Sequence, residues 1–113
     1  MKLEFQLSRL AINDLENIWE YTYTNWSLKQ ADNYVKQIMT QIDNICINPE
    51  LGRQIFSIKP NHRMIKINAH FIVYQVDGEL LKIDRIVHER MDKSGLYYNG
   101  ESGDLSSQFL LSS

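Results

Sequence analysis

Leu3, Phe5 and Leu7 alternate with Lys2, Glu4 and Gln6, the two-residue period of a strand with one buried face. Ser8 follows, a residue that can accept a backbone N–H bond where a helix begins. From there the period lengthens. Asp14, Leu15, Ile18, Trp19, Thr22 and Trp26 recur at three- and four-residue steps behind Ala11 and Ile12, which predicts an amphipathic helix from Arg9 to Asn25. Ser27-Leu28-Lys29-Gln30 has the form of a capping box. Leu28, Ala31, Val35, Ile38, Ile42 and Ile45 then carry a second helix to Ile47, and Asn48-Pro49 ends it. The short break at Trp26-Ser27 implies that the helices fold back as a hairpin.

The second half returns to short periods. Pro49-Glu50-Leu51-Gly52-Arg53 reads as a turn, Gln54 to Lys59 as a connection, and Pro60-Asn61 as another turn. His62 to Ile67 reads as a strand, with Arg63, Ile65 and Ile67 on one face and Met64 and Lys66 on the other. Phe71 to Val76 is a further strand, Asp77-Gly78 a tight-hairpin signal, and Leu80 to Val87 the returning strand. The predicted fold is α+β in the order β-α-α-β-β-β, its helical hairpin packed on one face of a small, mainly antiparallel curved sheet. Residues 1–97 form the expected domain. The pattern dissolves after Gly95, so residues 98–113 are expected to be a loosely ordered tail.

Composition changes this picture modestly. With 113 residues, 43% of them hydrophobic, the chain suits one core. No apolar run approaches the roughly 18–20 residues needed to cross a bilayer, and the alternating start is unlike a secretory signal. Cys46 is the one cysteine, which excludes an internal disulfide and points to a reducing cytoplasm, its thiol packed and inert. The net charge of -2 hides an asymmetry. Residues 1–50 hold four Lys/Arg and seven Asp/Glu, whereas residues 51–93 hold eight and five, with all three histidines. A basic second half permits an anionic partner, nucleic acid or acidic protein, although a solvated sheet face is the default.

Candidate chemistry gathers at the end of the last strand. Ile83 to Asp92 begins as a strand and ends in a charged run, and its spacing puts His88 and Arg90 on one face. His62, His70, His88 and Cys46 lack the close spacing of metal ligands, so no metal is expected. Arg63, His88 and Arg90, with Tyr97 or Tyr98, could hold a phosphate and move protons in RNA cleavage. Alternatively Arg63 and Arg90 pair with Asp84, Glu89 or Asp92 while His88 only packs. Spacing leaves both open. Trp19, Tyr21, Tyr23 and Trp26 are more aromatics than one buried stripe needs, which makes them candidates for a partner surface.

Residues 1–93 resemble a toxin of a type II toxin–antitoxin pair, in the superfamily containing RelE and ParE. The resemblance rests on Leu7-Ser8, Ala11, Asp14-Leu15 and Ile18-Trp19-Glu20-Tyr21-Thr22. It continues through Trp26, Gln30-Ala31, Tyr34, Asn48-Pro49, Gly52-Arg53 and Arg63. Arg85-Ile86-Val87-His88-Glu89-Arg90-Met91-Asp92 resembles the Arg-Met-Asp ending typical of the ParE branch. What this implies is a cytoplasmic toxin and a cognate ParD-like antitoxin, the two forming a hetero-oligomer. In the ParE branch it further implies interference with DNA gyrase, without cofactor, membrane or a reaction of the toxin's own. Target binding is then expected from Arg85, His88, Arg90, Met91 and Asp92. Antitoxin binding is expected from Trp19, Tyr23, Trp26, Arg53 and Arg63. The alternative is the RelE branch, a ribosome-dependent messenger-RNA endoribonuclease, with Arg63, Lys66, His88 and Tyr97 in the catalytic places.

Overall fold

The structure, a computed structural model, describes residues 2–90. The expected tail, and with it Met91, Asp92 and Tyr97, lies outside the described residues. The chain runs β1 (Glu4–Leu7), α1 (Arg9–Asn25), α2 (Leu28–Ile47), β2 (Arg53–Gln54), β3 (Arg63–Ile67), β4 (His70–Asp77) and β5 (Leu80–His88). The strands form one five-stranded sheet in the order β1-β5-β4-β3-β2. β1 pairs in parallel with β5, and the other pairings are antiparallel. The α+β class and the hairpin over a mainly antiparallel sheet are as expected. The two-residue strand β2 is an addition, because a run that short carries no periodicity to read.

Local chemistry explains the helix ends. Ser8 Oγ accepts from the Ala11 backbone N–H at 3.0 Å, and Ser27 Oγ accepts from that of Gln30 at 3.0 Å. The two hairpin loops are equally local: Gly78 takes φ 64 between β4 and β5, and Asn68 takes φ 51 between β3 and β4. Asparagine is one of the few side chains that enters this region cheaply.

The main core lies between the hairpin and the sheet. Ala11, Ile18, Ile38, Ile42 and Ile45 pack against Ile72, Tyr74, Leu81, Ile83 and Ile86. Leu15 and Val35 are half-buried, so the expected contact stripe holds with Ile18, Ile38 and Ile42 at its centre. Cys46 is buried too, and burial pushes its thiol above the ordinary value, which makes it a poor nucleophile.

The other sheet face is also covered. Met64, Val73 and Val87 alternate out of phase with the main core and form a second cluster with Ile55, Ile58 and Phe71. The segment expected as a plain connection folds back as a turn over them, with Ile58 and Lys59 N–H groups both donating to the Ile55 carbonyl at 2.8 Å. Glycine at 52 lets the chain pass close to Tyr74, because a Cβ there would stand 2.6 Å from Tyr74 Oη. Tyr74 Oη accepts from the Gly52 N–H at 2.8 Å and donates to the Pro49 carbonyl at 2.7 Å.

A β-bulge in β5 decides which residues reach which core. Val73 pairs with Arg85 but Tyr74 with Ile83, so Asp84 is the extra residue. Strict alternation from Leu81 and Ile83 would have turned Arg85 into the helix-facing core. The extra residue resets the phase, and Ile86 takes that place. Asp84 is fully buried. Its Oδ2 lies 2.6 Å from His62 Nε2 and 3.9 Å from Lys59 Nζ, while Gln75 Nε2 donates to Oδ1 at 3.3 Å. Burial holds the Lys59 ammonium below its ordinary value, and Asp84 opposes that shift.

Two stability measurements follow from these cores. Ile42→Ala should cost about 2–5 kcal/mol in denaturant unfolding, the range for a fully buried large-to-small change. Asp84→Ala should cost about 3–5 kcal/mol, because Lys59 and His62 stay buried without their carboxylate. A loss within about 0.5 kcal/mol in either variant would contradict the packing described.

Candidate functional site

The hairpin outruns the sheet, and the difference leaves a cleft of about 990 Å³ at the end where β3 turns into β4 and β5 finishes. From α1, Asn17 and Tyr21 face it. Trp26 stands at the turn between the helices, and α2 contributes Gln30, Asn33 and Tyr34. The sheet end supplies His70, His88 and Arg90. Tyr21 and Trp26 are 67% and 73% exposed although they continue the aromatic run of α1. They lie past the point where the sheet could cover them.

Register brings the histidines together. His70 opposes His88 across β4 and β5, and their rings meet edge-on with centroids 5.2 Å apart. Tyr34 Oη lies 2.6 Å from His70 Nδ1 and 3.3 Å from the Ile67 carbonyl. The Arg90 backbone N–H donates to His88 Nδ1 at 3.1 Å, so that nitrogen acts as an acceptor. Burial holds the His70 imidazole below its ordinary value, and the facing His88 adds to the effect, while Asp14 and Glu89 oppose it. Burial likewise raises the Tyr34 phenol. The sequence carries no sign that Tyr34 and His70 belong to this site. Their partners lie across the fold, and nothing in local spacing signals the contact.

The expected target-binding residues divide. His88 and Arg90 share the cleft, although β5 ends at His88 and Arg90 stands in the turn that follows rather than two places along an extended strand. Arg85 does not join them: its Nε and Nη2 donate to the Asp14 carboxylate at 2.9 and 3.1 Å, and Asp14 also accepts the Ile86 N–H at 2.9 Å. Asp14 had read as one position of a helical stripe, and its ion pair spans 71 residues.

The alternative ribonuclease set is dispersed among the described residues. Arg63 opposes Tyr74 on β3, four residues from the Ile67 rung that leads to His70 and His88. At about 3.3 Å per residue that is roughly 13 Å along the strand. Arg63 Nη1 donates to the Gly52 carbonyl at 2.8 Å, and Lys66 pairs with Glu89 at 3.0 Å. Among the described residues, Asp84 pairs with neither Arg63 nor Arg90; His62 and Lys59 hold it.

The expected antitoxin-binding residues fall on two separate surfaces. Trp19 stacks on Tyr23 with centroids 5.2 Å apart on α1, and Trp19 Nε1 donates to Asp32 at 2.9 Å. Trp26 stands at the end of the same helix. Arg53 and Arg63 lie at the β2–β3 side, where Arg53 Nη2 approaches Met64 Sδ at 3.6 Å.

The family described as the ParE toxin of the type II toxin–antitoxin system parDE matches residues 5–93. The chain belongs to the ParE toxin family. It is 36% identical over 93 residues to Toxin ParE1 of Mycobacterium tuberculosis, covering 81% of this chain and 95% of that one. It is 30% identical over 88 residues to Toxin ParE1 of Caulobacter vibrioides, covering 78% and 91%. The fold is similar to a chain of the chromosomal ParDE system from P. aeruginosa, with a TM-score of 0.68 at 20% identity over 77% of this chain and 96% of that one. It is also similar to a mutant of E. coli toxin RelE in the free state, with a TM-score of 0.58 at 12% identity over 97% and 96%. A ParE-family toxin therefore presents a cleft with two exposed aromatic rings, two imidazoles and an arginine. No helix is long and apolar enough to cross a membrane among the described residues.

The buried imidazole gives a pH-dependent expectation. An unfolded chain protonates His70 near about 6.5, whereas the folded chain resists until lower pH. The unfolded state then binds more protons, so stability falls as pH drops through that window. His70→Asn should flatten this part of the stability–pH curve relative to the unchanged chain. Parallel curves for the two proteins would show that His70 contributes nothing to it.

Proposed function

We propose that this ParE-family toxin acts on DNA gyrase as a protein inhibitor and catalyses no reaction of its own. The observation that carries this reading over RNA cleavage is that the basic side chains do not gather around His88. Arg63 is bonded to a backbone carbonyl and lies far along β3 from His88, while Lys66 is paired with Glu89. A general acid or base must reach the reacting atoms together with its electrostatic partner. What the cleft end offers is a shaped surface: His88, Arg90 and the exposed rings.

The same reading includes a cytoplasmic, ParD-like antitoxin that forms a hetero-oligomer with the toxin. Its expected contacts, Trp19, Tyr23 and Trp26 on one side and Arg53 and Arg63 on another, are reached together by a segment that wraps the domain. A disordered segment that folds on binding suits that geometry. Cofactors have no part in this function.

The test places the purified full chain with gyrase and supercoiled DNA in one tube and with programmed ribosomes in another. Cleaved DNA should accumulate after denaturing the gyrase complex, with messenger RNA intact. Arg90→Glu should weaken the gyrase effect about tenfold, the result of losing roughly 1.4 kcal/mol at a charged contact. His88→Ala should largely keep it. Ribosome-dependent RNA cleavage without any effect on gyrase would overturn the reading and favour the RelE-like alternative.

A further inference from the structure

The lining of the cleft is unusual for this chain. The protein carries 14 Asp and Glu against 12 Lys and Arg, yet no carboxylate lines the cleft among the described residues. Arg90 and the imidazoles of His70 and His88 supply the polar floor. Side-chain amides of Asn17, Gln30 and Asn33 stand along the helical walls, each with both donors and acceptors. Tyr21 and Trp26, the two most exposed aromatic residues among the described ones, stand at its rim.

We propose that this cleft binds a short unpaired nucleic-acid strand. Bases stack on the Tyr21 and Trp26 rings, the amides of Asn17, Gln30 and Asn33 bond base edges, and the Arg90 guanidinium meets a phosphate. Each element is what an unpaired strand requires: a π-face for a base, mixed donors and acceptors for its edge, and cationic charge for the backbone. A duplex hides its base faces and would leave the rings unused. Ile18 and Ala69 are the only aliphatic side chains among the described lining residues, so the apolar part of the lining is chiefly aromatic, as stacking requires. Proteins hold such strands through stacking and salt-sensitive phosphate contacts without chemistry, so binding here does not depend on cleavage. The inference goes beyond action on gyrase and is tested without that enzyme, so either reading can fail while the other stands.

The experiment uses the full chain and a fluorescein-labelled eight-nucleotide single strand, read by anisotropy across a salt series. The expected result is saturable binding that weakens with salt and is poorly competed by the duplex of the same sequence. Trp26→Ala should weaken it about tenfold or more, the range for losing one stacking platform. Arg90→Ala should lower the slope of log affinity against log salt by about 0.7, one single-strand phosphate contact. Phe56→Ala is the control, because Phe56 is an exposed aromatic that does not line the cleft. It should bind as the unchanged chain does. Trp26→Phe keeps a ring while removing its emission, so oligonucleotide quenching of tryptophan fluorescence should largely disappear in that variant. Unfolding curves of all four variants should overlay that of the unchanged chain. Absence of salt-dependent binding, or equal losses in Phe56→Ala and Trp26→Ala, would overturn the proposal. So would Trp26 emission that responds to a co-purified antitoxin but not to the oligonucleotide, which would assign the cleft to a polypeptide.

Discussion

β5 is longer than the strand beside it, and the fold is arranged around that mismatch. β1 stops at Leu7 opposite Ile83, while β5 continues to His88. Beyond Ile83 one edge of a central strand has lost its neighbour inside the protein. Each buried backbone group left without a partner would cost about 1–3 kcal/mol. The start of α1 takes over the role of the missing strand. The Ser8 N–H donates to the Ile83 carbonyl at 3.0 Å, Ser8 Oγ donates to the Asp84 carbonyl at 2.6 Å, and Asp14 accepts the Ile86 N–H at 2.9 Å. Ser8 therefore caps the helix and docks it in one step. Arg85 then balances the charge that Asp14 brings to this half-buried place.

These constraints separate what was legible in the sequence from what was not. Both helices, both serine caps, the helical hairpin and the β4–β5 turn were legible because their causes lie within a few residues of each other. The parallel pairing of β1 with β5 was not, because strands so distant in sequence carry no mark of their direction. The bulge at Asp84 was equally hidden. Ile83-Asp84-Arg85-Ile86 reads as ordinary alternation broken by two charges, and only the core on each side shows which charge is extra. The second core follows the same logic. Met64 was placed correctly on the face opposite Ile65, yet nothing in residues 54–59 announced that they would fold back to cover it.

The candidate site was partly legible for a similar reason. His88 and Arg90 meet as expected, but through the turn after β5 rather than along one face of an extended strand. His70 enters through strand register and Tyr34 through helix docking, both of which depend on the assembled fold. Arg85 shows the opposite case. It stands within the charged run, but its neighbour in space is Asp14, and the pair serves to hold α1 on β5.

The charge asymmetry of the sequence takes on a different meaning once these partners are known. The basic second half read as a surface for an anionic partner, yet most of its cations have a partner within the domain, Lys66 in an exposed pair and Lys59 and Arg85 in buried or half-buried ones. Lys59 faces Asp84, Lys66 faces Glu89, Lys82 faces Asp77 and Arg85 faces Asp14. Arg63 is bonded to the Gly52 carbonyl. Charge counted along a chain therefore overstates the charge available to a partner, because it cannot distinguish cations that close the fold from cations that face outward. Exposure of aromatic rings is the better guide here. Tyr21 and Trp26 leave the largest share of their surface in solvent among the described aromatics. Placing them beside Arg90, where the sheet ends and the helices continue, makes the cleft a consequence of element length. Core and cleft meet at Ile18 and Tyr34, which belong to both, while the exposed rings of Tyr21 and Trp26 stand outside the core.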